Sequence, residues 1–265
     1  MPYCRLAPFA AALAALALAA PAFAQEKASE EPVRIRVMIG PQAYPAYPGA
    51  KDLRIGALVG LDRARGDEPF AFEAADDSFG IRLVRSHGVS VGPVVNWQWS
   101  RTAKDVGTTL PKVGFSLEAG GFAQYELGDH LRLRAELRKG LSGHKGWTGT
   151  AGADAIFRDG DRWLFAVGPR VTWGDNRYND AYFGVAPADA PASGLPAYDP
   201  GGGIHAIGAT ATFLTQLSPS WGLYAYAKYD RMTGDAADSP IVRSYGSRDQ
   251  ISGGLALTYT FDWRR

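Results

Sequence analysis

The chain has one cysteine and four histidines among 265 residues, and its charge is close to balanced, with 28 Lys plus Arg against 27 Asp plus Glu. One cysteine cannot pair within the chain, so a disulfide scaffold is excluded. A net charge of +1 provides no cationic face for nucleic acid or another polyanion. Beyond the first two dozen residues no apolar run reaches the eighteen or so residues that a membrane-crossing helix needs. Ligand spacings for a metal and glycine loops for a phosphate are also lacking, so no metal and no cofactor is expected. His87 and His130 fall in expected turns and His144 and His205 at the opposite rim. With no serine elbow beside any of them, catalytic residues are not expected and the reading is not an enzyme.

What is present begins with an export signal. Arg5 supplies the positive start, residues 6–20 are almost wholly Ala, Leu, Phe and Pro, and Ala22-Phe23-Ala24 gives the small-x-small cleavage pattern. The expected organisation is a cleaved signal peptide over 1–24, a periplasmic tail over 25–32, a barrel over 33–261 and an overhang over 262–265. Cys4 leaves with the signal, too early in the chain to carry a lipid anchor.

The mature chain then alternates with a period of two. Leu131, Leu133, Ala135 and Leu137 interleave with Arg132, Arg134, Glu136 and Arg138, so that one face of an extended strand is apolar and the other charged. Similar runs of ten to thirteen residues recur along the chain, which exceeds the usual strand of a soluble sandwich, about 5 to 6 residues, and matches a tilted strand crossing a bilayer. Trp163 and Trp173 lie ten residues apart on one face. At ~3.3 Å per residue and a tilt near 45° they stand about 23 Å apart along the membrane normal, close to the ~25 Å between aromatic girdles.

These patterns predict an all-β, antiparallel transmembrane β-barrel of the bacterial outer membrane. Twelve strands are expected near 33–39, 53–61, 70–74, 79–85, 89–99, 114–127, 131–141, 147–158, 162–173, 204–217, 221–232 and 250–261, or ten if the two weakest, 70–74 and 79–85, are discounted. Short turns alternate with long polar loops, as in outer-membrane barrels whose short side is periplasmic and long side extracellular. Pro93 and Pro169 fall inside strands and predict bulges or ladder breaks. Leu257, Tyr259 and Phe261 end the last strand in the manner of a barrel-assembly signal.

Two groups of side chains are candidate sites. Glu118, Glu126, Arg132, Arg134, Glu136, Arg138, Arg170, Lys228 and Asp230 face the predicted lumen, with Arg34, Arg36, Arg54 and Asp154. They form either an ion-pair network that stiffens the wall or the lining of a small-solute path. Tyr178, Tyr182, Phe183 and Tyr198 mark the outer loop 174–203 as either a recognition surface or a plug folded over the mouth.

Several separated motifs carry a resemblance: GPRVTWGDNRYNDAYFGV at 168–185, Pro187-Ala188-Asp189, SGLPAYD at 193–199, Tyr229-Asp230-Arg231, GDAADSPIV at 234–242, and the early Tyr47-Pro48-Gly49. Together they resemble the MipA/OmpV family of outer-membrane proteins, the MltA-interacting type. The resemblance implies an outer-membrane barrel. For the family's named members it implies a scaffold joining a murein lytic transglycosylase to a penicillin-binding peptidoglycan synthase. Other members imply a narrow porin-like channel or a surface adhesin. The periplasmic surface open to such enzymes would be the turns, the connection 62–69 and the tail.

Overall fold

The computed structural model describes residues 32–263. The expected signal peptide, most of the tail and the last two residues of the overhang lie outside the described residues. Ten long strands form the wall: β1 (Val33–Pro45), β2 (Leu53–Arg65), β5 (Val89–Gln98), β6 (Ser116–Leu127), β7 (Leu131–Gly140), β8 (Trp147–Asp159), β9 (Trp163–Gly174), β10 (Gly203–Gln216), β11 (Trp221–Met232) and β12 (Asp249–Trp263). Two short pieces, β3 (Phe79–Gly80) and β4 (Val84–Ser86), both pair with β5. All pairs are antiparallel and, apart from β3 with β5, join sequence neighbours, while β1 closes on β12 with Val33 opposite Trp263. The result is a twelve-stranded curled sheet of the outer-membrane barrel type.

Alternation dictates which side chains face out. On β9, Trp163, Phe165, Val167, Val171 and Trp173 are exposed while Leu164, Ala166 and Arg170 are buried. On β7, Leu133 and Leu137 point outward while Arg132, Glu136 and Arg138 turn inward and are buried. Aliphatic and aromatic residues thus meet hydrocarbon, and the charged set meets the lumen. Among the described residues no helix is long and apolar enough to cross a membrane. By the usual arrangement of such barrels the tight turns are periplasmic and the longer loops extracellular.

One expected strand is not in the wall. Residues 70–74 carry no ladder, and 79–85 breaks into β3 and β4, so the twelve strands observed are not the same twelve. Instead, Phe70, Phe72 and Ala74 are buried inside the barrel. Asp76 and Asp77 explain the departure. Five residues do not span a bilayer, and a strand lengthened through Asp76 and Asp77 would turn one carboxylate to lipid, since adjacent residues point to opposite faces, at a cost on the order of 1–2 kcal/mol. Inside the barrel both find cations.

Pro93 and Pro169 both lie where a ladder is interrupted, and beside Pro93 the register also shifts by one residue, from Phe79↔Val95 to Val84↔Val91. The β3 and β4 pieces are separated at 81–83, beside Gly92-Pro93, and the β8–β9 pairing lapses between Gly152↔Arg170 and Ala155↔Val167. A second irregularity in register lies between Ile204 and Ala206. It turns the extra residue, His205, into the interior.

Candidate functional site

The inward charges form one continuous chain across the wall. Lys228 Nζ lies 3.2 Å from Asp230 and 3.1 Å from Asp76. Arg170 donates from Nε to Asp76 at 3.0 Å and from Nη2 to Asp154 at 2.7 Å. Arg132 donates to Asp154 at 2.6 and 2.9 Å and also to Asp77. Asp77 lies 3.5 Å from Arg134, which lies 2.7 Å from Glu136. Arg138 then joins Glu136 at 2.6 Å to Glu118 at 2.8 Å, and Glu118 contacts His144 Nε2 at 3.1 Å.

Nine of the thirteen lumen residues named from sequence fall in this chain, Asp154 among them; Glu126, Arg34, Arg36 and Arg54 do not, Arg34 and Arg36 lying near Asp161 and Arg54 near Asp105. Glu126 instead accepts from Gln124 at 2.7 Å and stands 3.5 Å from Arg85 near the turns. Sequence reasoning missed the two members that hold the chain together, Asp76 and Asp77, because it placed them between wall strands. The signal was there in the adjacent acids themselves. Ser78 continues the contact, donating from Oγ to Glu136 at 2.6 Å. Arg132 also lies over the Phe72 ring, 4.7 Å from its centre.

Lower down, Phe70 is fixed at the turn end. Its N–H donates to Asp161 at 3.0 Å, its carbonyl accepts from Arg158 at 3.0 Å, and the Arg36 guanidinium covers the ring at 4.0 Å. Residues 66–78 thus rise from the turn end to mid-barrel as an internal brace.

The outer mouth is filled by a second, apolar layer. Tyr47, Val106, Leu110, Val113, Tyr178, Tyr182, Phe183, Val185, Ile241 and Val242 pack into one buried cluster. It draws on four loops, including helices α1 (Ala103–Val106), α2 (Asn176–Phe183), α3 (Ala190–Ser193), α4 (Gly234–Asp238) and α5 (Pro240–Ser244). Helix α2 starts where Asp175 Oδ1 accepts from the Tyr178 N–H at 2.8 Å. Its inner face, Tyr178, Asn179, Tyr182 and Phe183, is buried. His205 stacks on Tyr178 with ring centres 5.1 Å apart, and His144 meets the same ring edge-on at 4.8 Å.

Three of the four aromatic residues named for outer recognition are therefore the cap's interior, with Tyr182 and Phe183 fully buried. Tyr198 lies at its edge and donates its hydroxyl to the Asp235 carbonyl at 2.8 Å. Of the two sequence readings of this loop, the fold over the mouth is the one observed. Burial pushes the Tyr47 and Tyr182 phenols up to about 12 and Tyr178 higher still. Desolvation also pulls down the Arg101 guanidinium, which is held by the carbonyls of Tyr182 at 3.1 Å and Pro111 at 3.0 Å.

Beneath the cap and alongside the brace lies a cavity of about 630 Å³ that reaches from Tyr47 and His205 down to Arg158 and Asp161 at the turn end. Its wall includes Leu58, Phe72, Leu164, Leu214 and Tyr224, with Tyr47, Gln98 and His205 toward the cap. Among the described residues no cluster of His, Cys, Asp and Glu is arranged to hold a metal ion.

The family model described as MltA-interacting protein MipA matches residues 37–261. No curated protein matches the sequence. Among solved structures, an outer membrane channel from Pseudomonas putida F1 is similar at 10% identity and TM-score 0.40, over 89% of this chain and 99% of that one. A loop-deletion mutant of OmpT, an outer membrane protein of Vibrio cholerae, is similar at 10% identity and TM-score 0.36, over 88% of this chain and 100% of that one. The CymD monoaromatic hydrocarbon channel is similar at 10% identity and TM-score 0.32, over 89% and 90%.

Proposed function

Because the chain belongs to the MltA-interacting protein MipA family of outer-membrane barrels, we propose that it is a membrane-embedded docking scaffold rather than an enzyme. Its partners on this reading are a murein lytic transglycosylase and a penicillin-binding peptidoglycan synthase, met at the periplasmic rim. The observation that carries the reading is the filling of the barrel. A packed apolar cap closes the outer mouth, a brace pinned by paired ions takes up much of the space below it beside the cavity, and the cap buries the aromatic side chains an adhesive surface would present. A barrel filled in this way is a rigid support. The periplasmic rim fits docking for the same reason: Arg34, Arg36, Phe70, Arg158 and Asp161 tie two turns together. A surface fixed before binding loses less side-chain and loop freedom on association. Export through a cleaved signal peptide belongs to the same proposal.

The test is photocrosslinking in intact cells, with a photoreactive residue at Arg65 or Arg162 on the turn end and at Arg243 on the loop end, all three exposed. Recovery of a lytic transglycosylase or a murein synthase from Arg65 or Arg162 supports the scaffold. Partners from Arg243 alone overturn it in favour of a surface adhesin. Steady ohmic conductance of the wild-type protein in planar bilayers overturns it in favour of a narrow channel.

A further inference from the structure

The place in the wall that residues 66–78 leave is not filled by another strand. β2 pairs with β1 on one side, and among the described residues no ladder joins its other edge to β3, β4 or β5. The cavity reaches this gap. On β2 it is lined by Leu58 and Asp62, which point inward, and equally by Val59 and Leu61, which point to the membrane. Across the gap it is lined by inward Gln98 and by membrane-facing Phe79, Trp97 and Trp99. A cavity touches both faces of both edges only if it runs between them. The mouth above is filled by the cap and the lining continues down to Arg158, Gly160 and Asp161 at the turn end, so the gap is the route that opens to the bilayer.

We propose that the cavity is a binding site for an uncharged, chain-bearing amphiphile taken from the bilayer through the gap between β2 and β5. Three features fit that class. The volume, about 630 Å³, is that of a small-molecule site, about 300–1,000 Å³. Phe72, Leu164 and Leu214 offer an apolar floor that removes a hydrocarbon chain from polar surroundings. Toward the cap and along the wall, Tyr47 Oη, His205 Nδ1 and Thr212 Oγ1 are buried polar atoms without a protein partner, and all three residues line the cavity with Gln98, whose Oε1 is also unpartnered. Buried polar groups are costly unless bonded, and a hydroxyl or amide head group would satisfy them. The charged lining residues at mid-barrel are already matched, Lys228 to Asp76 and Asp230, and Arg138 to Glu118 and Glu136. At mid-barrel an ionised head would add a buried charge without a counter-ion; the remaining lining cation without close hydrogen bonds, Arg36, lies at the turn end, 3.7 Å from Asp161 and 3.9 Å from Asp62.

The experiment uses the full chain in phospholipid vesicles and a monoacylglycerol probe bearing a diazirine at its chain end, with adducts mapped by peptide mass spectrometry. Adducts on Phe72, Leu164 or Leu214, competed by unlabelled monoacylglycerol, are expected. Ala57→Trp adds an indole on the membrane face where the cavity opens, and it should reduce those adducts about tenfold, a change of about 1.4 kcal/mol. Tyr47→Phe removes a hydroxyl that nothing in the protein bonds. It should keep the folded, heat-modifiable band and weaken probe retention about threefold to tenfold, the loss of one net hydrogen bond. Adducts confined to Val59, Leu61 and other membrane-facing positions overturn the site. Unchanged labelling in both variants overturns it as well. Equal interior labelling by an anionic diazirine fatty acid overturns the uncharged class.

Discussion

The brace makes a quantitative demand on Asp76 and Asp77. The wall contributes five cations to the ion chain, Arg132, Arg134, Arg138, Arg170 and Lys228, against four carboxylates, Glu118, Glu136, Asp154 and Asp230. Asp76 and Asp77 arrive on the brace and bring the carboxylates to six. Removing one partner of a buried pair costs about 3–5 kcal/mol. Here each stranded cation keeps a second carboxylate: Arg170 and Arg132 keep Asp154, Lys228 keeps Asp230 and Arg134 keeps Glu136. Asp76→Ala and Asp77→Ala should therefore each fall at the lower end, about 3 kcal/mol. In the double variant Arg132 and Arg170 both depend on Asp154 alone, so its loss should exceed the sum of the singles by about 0.5–3 kcal/mol. Urea unfolding of the barrel in phospholipid vesicles, followed through its seven tryptophans, measures all three. Arg162→Ala is the control, because the pair it forms with Asp159 is solvent-exposed and should count for less than about 1 kcal/mol. If either aspartate variant behaved like that control, the brace would not be an electrostatic clamp.

Alkali should open the cap before it unfolds the wall. The neutral forms of Tyr47 and Tyr182 are favoured by folding, since burial raises both to about 12. Their contribution is thus complete below the ordinary value near 10 and is lost as pH rises from about 10 to about 12, at about 2–3 kcal/mol for each phenol. Near-ultraviolet circular dichroism should collapse over that window with the strand signal intact, and tyrosinate absorbance appearing near pH 10 without that collapse would contradict it. Ile241→Ala hollows the centre of the cap, where Ile241 is fully buried, at about 2–5 kcal/mol. Trypsin should then cut after Arg101, which the intact cap buries, while the folded gel band persists. Gly168→Ala should sharply lower the yield of folded barrel, because a Cβ there would sit 1.6 Å from the Ala153 carbonyl oxygen. Gly121→Ala, with 3.5 Å to its nearest neighbour, should fold normally, and equal yields would count against close strand approach as the reason for Gly168.

The long strands were legible because lipid on one side and a polar interior on the other impose a period of two on every crossing. That is why Trp163 to Trp173 and Arg132 to Arg138 were placed on the correct faces from sequence. The same rule misled at residues 70–74. Phe70, Phe72 and Ala74 alternate like a wall strand because they too have one side packed, against the inside of the barrel rather than in the wall. Only Asp76 beside Asp77 breaks that pattern. The cap was half legible: its aromatic residues stood out, but their partners come from loops far apart in the chain, and no local periodicity records such a meeting. His205 was placed at the outer rim, yet its inward turn rests on a bulge that alternation does not reveal.

Withdrawal of one segment from the wall links these features. Unpaired strand edges are expensive in hydrocarbon, since each unsatisfied backbone group costs several kcal/mol there, and irregular backbone at membrane depth persists only where it is covered by protein or lines a cavity. The free edge of β2 meets that condition, because the cavity runs along it and reaches both of its faces. Had a strand running on through Asp76 and Asp77 stayed in the wall the edge would be paired, but one of the two carboxylates would face lipid and the other alone could reach the wall's five cations. Moving the segment inside supplies carboxylates to the ion chain and braces the lower barrel, and it transfers the cost to the two open edges at the gap. Whatever occupies the cavity beside those edges therefore contributes to the stability of the barrel as well as filling a site. A molecule able to hydrogen-bond at one end and to lie against hydrocarbon along its length satisfies the edge better than water, whose place in the apolar part of the cavity would be poorly bonded.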